Sequence, residues 1–124
     1  MFHILVVEDD SKLRHLFCTV LRKHGYTCTE TENGQAAIDV LDNTYIDLII
    51  SDIMMPVMDG YSFVQEIRNA NYNQSVLMIT AKDTFDDMEK GFRAETDDYM
   101  VKPININEMV LRVGALLKLS LIHI

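Results

Sequence analysis

Asp52 closes a largely apolar run, Ile46-Asp47-Leu48-Ile49-Ile50-Ser51-Asp52, and three other short segments end in side chains suited to serve it. Glu8-Asp9 follows Ile4-Leu5-Val6-Val7, Thr80 follows Val76-Leu77-Met78-Ile79, and Lys102 follows Asp98-Tyr99-Met100-Val101. Open α/β sheets bind ligands just outside the carboxyl ends of their strands. If these four runs lie parallel in one sheet, the carboxylates, hydroxyl and ammonium meet at one edge. Glu8, Asp9 and Asp52 would then offer hard oxygen ligands of the kind Mg²⁺ favours, with Mn²⁺ as an alternative. Three clustered carboxylates repel one another, and a divalent cation relieves that repulsion. Attack of a carboxylate on phosphorus spreads negative charge over equatorial oxygens, which the metal, Lys102 and the Thr80 hydroxyl would stabilise. The set therefore suits a phosphoryl acceptor.

Each piece alone has a plainer explanation. Glu8-Asp9-Asp10 could be a solvated capping turn, Lys102-Pro103 a surface turn, and Thr80 a helix cap. The coincidence of all four at strand ends, in order, favours a site.

The elements that would position these residues can be read from periodicity. Phe2–Val7, Tyr45–Ile50, Val76–Ile79 and Tyr99–Val101 read as strands, with Tyr26–Thr31 as a more polar edge strand. Continuous apolarity is expected of parallel strands covered on both faces. Leu13, Leu16, Phe17, Val20 and Leu21 follow helical spacing, with Asp10 or Ser11 as N-cap and Gly25 as the left-handed stop. Asn33–Leu41 and Tyr61–Ala70 repeat the scheme, Thr84–Arg93 does so more weakly, and a last helix runs from Asn105 or Ile106 to Leu119. Alternating strands and helices with short connections predict a five-stranded parallel, doubly wound sheet with helices on both faces. One domain over residues 1–120 is expected, followed by an apolar tail at 121–124 that is a linker start, a docking strand or an appended extension.

Composition bounds the function. A formal charge of −8 argues against direct contact with nucleic acid, which needs Lys and Arg against phosphates. The first ten residues are acidic rather than a basic signal region, and no run approaches the length of a membrane span. Cys18 and Cys28 form no metal or CxxC pattern and read as buried small apolar residues. A cytoplasmic location is expected.

The stretches Ile4–Asp10, Ser51–Gly60, Thr80–Lys82 and Asp97–Pro103 together resemble the receiver domain of two-component response regulators, over about Phe2 to Leu119. The resemblance implies a flavodoxin-like sheet of order 2-1-3-4-5. It implies Asp52 as phosphoacceptor, with Glu8, Asp9, Asp52 and the Met54 carbonyl as metal ligands. Thr80 would be the switch hydroxyl, Tyr99 the switch aromatic, and Lys102 the partner of the phosphoryl group, with a cis peptide before Pro103. Gly60 would supply a permissive backbone. A sensor histidine kinase would be the donor, and small phosphodonors could substitute through the domain's own transfer and dephosphorylation activity. The switch would remodel the surface of the helical pattern at 84–93, the last strand and the last helix. Asp97, Asp98, Glu108 and Arg112 are similar to the OmpR/PhoB-type subfamily, in which such charges pair across a homodimer controlling transcription through a DNA-binding domain. Their plainer reading is a solvated face.

Glu95-Thr96 departs from the family's usual Gly-Ala pair, which predicts a locally loose or altered turn there. Kinase recognition is expected near the first helix, with Lys12, Arg14, His15, Phe17 and Cys18 as candidates. Two other classes compete. A phosphatase of the haloacid dehalogenase type needs a second acid two residues after its nucleophile, where this chain has Met54. A stand-alone or phosphorylation-independent receiver acting by protein contact would be expected to lose an acid, the threonine or the lysine, and this chain keeps them all.

Overall fold

The computed structural model describes residues 1–55, 57–81 and 97–122, with the backbone alone considered from 120. Five strands form one parallel sheet: β1 (His3–Val7), β2 (Thr27–Thr31), β3 (Leu48–Asp52), β4 (Ser75–Thr80) and β5 (Asp98–Val101). Their order is β2-β1-β3-β4-β5, the doubly wound arrangement expected from the alternating pattern. Four helices lie among the described residues: α1 (Ser11–Lys23), α2 (Gly34–Asn43), α3 (Gly60–Asn69) and α4 (Ile106–Ile122). The weaker helical pattern at 84–93, with Phe85 and Met88, and the Glu95-Thr96 departure lie outside the described residues.

The central strands are apolar throughout because both faces are covered. Successive side chains alternate between two cores. Ile4, Val6, Leu48, Ile50, Leu77 and Ile79 pack with Phe17, Leu21, Met109 and Val113 on the α1 and α4 face. Leu5, Val7, Ile49, Val76 and Met78 pack with Ala37, Phe63, Val64 and Ile67 on the α2 and α3 face.

Local chemistry sets the boundaries. Asp10 caps α1, accepting from the Lys12 and Leu13 N–H groups, and Gly25 follows with φ +92°. Asn33 and Asp59 cap α2 and α3, and Asn105 accepts from the Glu108 N–H at the start of α4. β3 starts later than the apolar run suggested. Tyr45 is exposed, while Asp47 and His3 exchange two hydrogen bonds of 2.8 Å that begin the β1–β3 ladder. α4 runs past the expected Leu119 and past position 120.

The buried face of α1 is rotated from the expected stripe. Leu16 is 44% exposed, whereas Cys18 joins Phe17 and Leu21 inside. This rotation turns Cys18 on α1 toward the edge strand β2, where it forms a disulfide with Cys28. Both cysteines are buried, as expected, but they are paired rather than free. Phe17 and Cys18 therefore cannot present themselves to a kinase, and of the candidates on α1 only Lys12, Arg14 and His15 reach solvent.

Candidate functional site

Strand register places the site. Val7 pairs with Ser51, Asp52 with Ile79, and Thr80 with Val101, so β3 and β4 each run one residue past the preceding strand and β5 ends level with β4. The ladder extends past the regular strands through Glu8 N–H to Thr31, Ile53 N–H to Ile79 and Lys102 N–H to Thr80. Glu8, Asp52, Thr80 and Lys102 consequently reach one edge of the sheet from four strands.

Asp52 is the last residue of β3 and is 3% exposed. Its Oδ2 accepts from Lys102 Nζ at 2.7 Å, and its Oδ1 accepts from the Met54 N–H at 3.2 Å. Lys102 Nζ also lies 3.4 Å from Glu8 Oε1. The Lys102–Pro103 peptide bond is cis. Carboxylate oxygens of Glu8, Asp9 and Asp52 fall within 4.8 Å of one another, two of the three side chains being buried and Asp9 exposed.

The electrostatics of this cluster are unbalanced. Burial first, and then the Asp52 charge, push the Glu8 carboxyl up to about 8. Burial alone would pull the Lys102 ammonium down, but the hydrogen bond and charge of Asp52, joined by Glu8, hold it above the ordinary lysine range. Glu8 Oε1 is buried and accepts no hydrogen bond, its contact with the Lys102 ammonium being an ion pair at 3.4 Å that Lys102 shares with Asp52. Three carboxylates against one ammonium, one oxygen of them buried without a hydrogen bond, form a donor set short of positive charge. It fits a small hard dication.

The loop after β3 is held tightly. A Cβ at Gly60 would stand 2.7 Å from the Asp52 carbonyl oxygen and 2.8 Å from Ile53 Cα, and the Gly60 N–H donates to the Ile53 carbonyl at 2.8 Å. Gly60 thus begins α3 against the backbone at the end of β3. Its reason is space rather than φ freedom. Val57 in the same loop has φ +72° and is 84% exposed.

A family model described as the response regulator receiver domain matches residues 4–114. The chain belongs to this family. Among curated relatives, the receiver is 36% identical to heme response regulator HssR of Staphylococcus epidermidis over 95% of this chain and 52% of that protein. It is 42% identical to transcriptional regulatory protein ResD of Bacillus subtilis over 93% of this chain and 48% of that protein. The receiver spans about half the length of the curated relatives it matches. Among solved structures, a Francisella response regulator receiver domain aligns with a TM-score of 0.90 at 31% identity, covering 97% of this chain and 99% of that one. The receiver domain of the regulator TorR aligns with a TM-score of 0.87 at 28% identity, covering 94% and 97%.

Of the residues singled out in the sequence, the receiver gathers Glu8, Asp9, Asp52, the Met54 backbone and Lys102 at one place. Thr80 is fully buried one residue beyond the Asp52 level, its hydroxyl donating to the Ala81 carbonyl at 3.0 Å. Tyr99 lies on β5 with 42% of its surface exposed. The charges near β5 separate into two groups. Asp98 takes both its oxygens to Arg112 Nη1 at 2.8 Å, and Arg112 also reaches Glu108. Asp97 instead accepts from the Val76 N–H at 2.8 Å and lies 3.6 Å from Arg68, so it secures the start of β4.

One positioning residue escaped the sequence reading in this role. Arg14, considered only as a surface contact, donates from Nη1 to the Glu8 carbonyl at 2.8 Å and from Nε to Glu30 at 3.4 Å. It ties the acidic turn to the first helix and β2. The available signal was its place one turn after the Asp10 cap, on the side facing back toward the turn.

Proposed function

We propose that this receiver takes a phosphoryl group onto Asp52 from a phosphohistidine of a sensor kinase. The observation that carries the reading is a buried aspartate 2.7 Å from a lysine ammonium, with Glu8 and Asp9 oxygens within 4.8 Å. One Asp52 oxygen forms the new P–O bond as the P–N bond to the donor breaks, and the bonding pair returns to the imidazole. Mg²⁺, held by Glu8, Asp9, Asp52 and the Met54 carbonyl, would supply positive charge to the phosphoryl oxygens. Lys102 holds the carboxylate before transfer and can follow the new oxygens afterwards. The Met54 N–H fixes the other carboxylate oxygen.

In the switched state the Thr80 hydroxyl exchanges its Ala81 carbonyl for a phosphoryl oxygen, and Tyr99 turns from its half-exposed position into the space released. Such a change is a population shift, driven only by differential contacts with the two states. The surface of β5 and α4 would then favour a homodimer through Asp98, Glu108 and Arg112. Output would pass to a further domain, in the manner of a transcriptional regulator.

The test is a Mg²⁺-dependent titration with beryllofluoride, whose BeF₃⁻ on a carboxylate stands in for the phosphoryl group. The expected result is saturable shifts at Thr80, Tyr99 and Lys102 that vanish in Asp52→Asn, with a rise in mass by light scattering. An intact fold with no response would favour a receiver that works without phosphorylation.

A further inference from the structure

Cys18 and Cys28 join two elements that otherwise meet through packing, ion pairs and a side-chain hydrogen bond. Cys18 lies in the middle of α1 and Cys28 in β2, the edge strand of the sheet. Their Cα atoms are 5.7 Å apart, inside the range of roughly 4.4–6.8 Å that a disulfide spans without backbone movement. The seam around them has further tethers. Arg22 donates to the Cys28 carbonyl at 2.9 Å, and Glu30 gathers Arg14, His15 and Arg22 at 3.4, 3.5 and 3.8 Å. Phe17 and Leu21 are fully buried on either side of Cys18. These contacts keep α1 docked when the sulfurs part, so opening costs the bond and not the fold.

We propose that the Cys18–Cys28 pair is a reversible redox latch that sets how firmly α1, and with it the acidic turn, is held on β2. The coupling is short. Cys18 is one helical turn after Arg14, which holds the Glu8 carbonyl, and α1 itself begins at the Asp10 cap directly after Asp9. Entry is through Cys28, which is 7% exposed on an edge strand, while Cys18 is fully buried. To open the latch, a thiolate of a thiol reductant attacks Cys28 Sγ, and Cys18 leaves as thiolate and takes a proton. A second reductant thiol then displaces Cys28 from the mixed disulfide. Two electrons pass from the reductant, which becomes a disulfide, and two protons end on the cysteine sulfurs. Glutathione disulfide closes the latch by the reverse sequence. The latch does not depend on phosphoryl transfer to Asp52.

The whole chain is equilibrated in glutathione buffers of graded thiol-to-disulfide ratio, quenched in acid, alkylated and weighed by mass spectrometry. One two-electron transition between closed and open forms is expected, with the same midpoint in Asp52→Asn and no closure in Cys18→Ala or Cys28→Ala. Native-state hydrogen exchange supplies the second readout. Amides of residues 8–23 are expected to exchange about tenfold faster in the open form, with the central strands β3 and β4 unchanged. A pair that stays closed at every glutathione ratio, or never closes, overturns reversibility. Equal exchange of residues 8–23 in the two forms overturns the coupling to the acidic turn.

Discussion

The Lys102 ammonium and the Asp52 carboxylate, brought together from β5 and β3 across an intervening strand, lie 2.7 Å apart. The same ammonium stands 3.4 Å from Glu8, so one cation serves two buried acids. Removing it leaves Asp52 and Glu8 facing each other without compensation. Lys102→Ala is therefore expected to destabilise the domain by about 2 kcal/mol near pH 8, below the full penalty for a buried pair because the lysine side chain is 33% exposed. The loss should shrink near pH 5, where Glu8 carries a proton. Urea melts of Lys102→Ala and of Lys102→Ala with Asp52→Asn check this, since the double variant should recover part of the loss.

Glu8 gives the pH dependence its sign. Its carboxyl is pushed up to about 8 in the folded chain from 4.5. Between those values the native state keeps a proton that the unfolded state has released, so stability falls as pH rises. It is full below about 4.5 and levels off above about 8, a change on the order of a few kcal/mol at most. Mg²⁺ would displace that proton, so saturating Mg²⁺ should remove the decline. Urea midpoints from pH 5 to 8, with and without Mg²⁺, test the sign, and Glu8→Gln should be flat across this window.

Much of this site was legible because parallel, doubly covered strands write themselves as apolar runs, and the residue after each run marks the sheet edge. Glu8, Asp52, Thr80 and Lys102 were found that way. What failed to show depends on register and rotation. Leu16 and Cys18 are two positions apart on α1, and a small turn of the helix toward β2 exchanges which of them is buried. The sequence holds no trace of that turn, nor of the Cys18–Cys28 pairing it permits. Asp97 and Asp98 read alike as adjacent acids, yet Asp97, just before β5, goes to Val76 and Arg68, while Asp98, its first residue, goes to Arg112.

Gly60 is fixed by close approach. A methyl group there would meet backbone atoms of Asp52 and Ile53 at 2.7 and 2.8 Å, and backbone cannot yield as a flexible side chain can. Gly60→Ala should cost roughly 2–3 kcal/mol and shift the β3 end that carries Asp52. Chemical denaturation gives the first quantity, and amide shifts at Asp52 to Met54 report the second. An alanine variant of unchanged stability would mean that α3 can retreat freely.

Val57 holds a left-handed backbone, φ +72°, that β-branched residues adopt at a cost, and its side chain is 84% exposed. Little packing is lost when it is removed. Val57→Gly should therefore stabilise the domain by about 0.5 kcal/mol, the relief of strain outweighing the added freedom of the unfolded chain. A matched pair of thermal melts decides it, and a lower midpoint for the glycine variant would contradict it.

The acids at β5 should separate under mutation. Asp97 accepts the Val76 N–H at 2.8 Å at the start of a buried strand and lies near Arg68, so Asp97→Ala leaves a donor without its partner. A loss of about 1–3 kcal/mol follows. Asp98 shares both its oxygens with the single nitrogen Arg112 Nη1 in a pair that is partly exposed, and Asp98 and Glu108 raise the Arg112 guanidinium above its ordinary value. Breaking that pair with Arg112→Ala should cost only about 1 kcal/mol. Dimerisation, if it uses these charges, must exchange Asp98–Arg112 contacts within one chain for contacts between chains. Arg112→Ala should then abolish the mass gain with beryllofluoride while leaving the shifts at Thr80 and Lys102 intact, whereas Asp97→Ala should lower stability without acting on assembly selectively. Light scattering beside urea melts on the two variants separates a residue that holds β4 from one that meets a second copy.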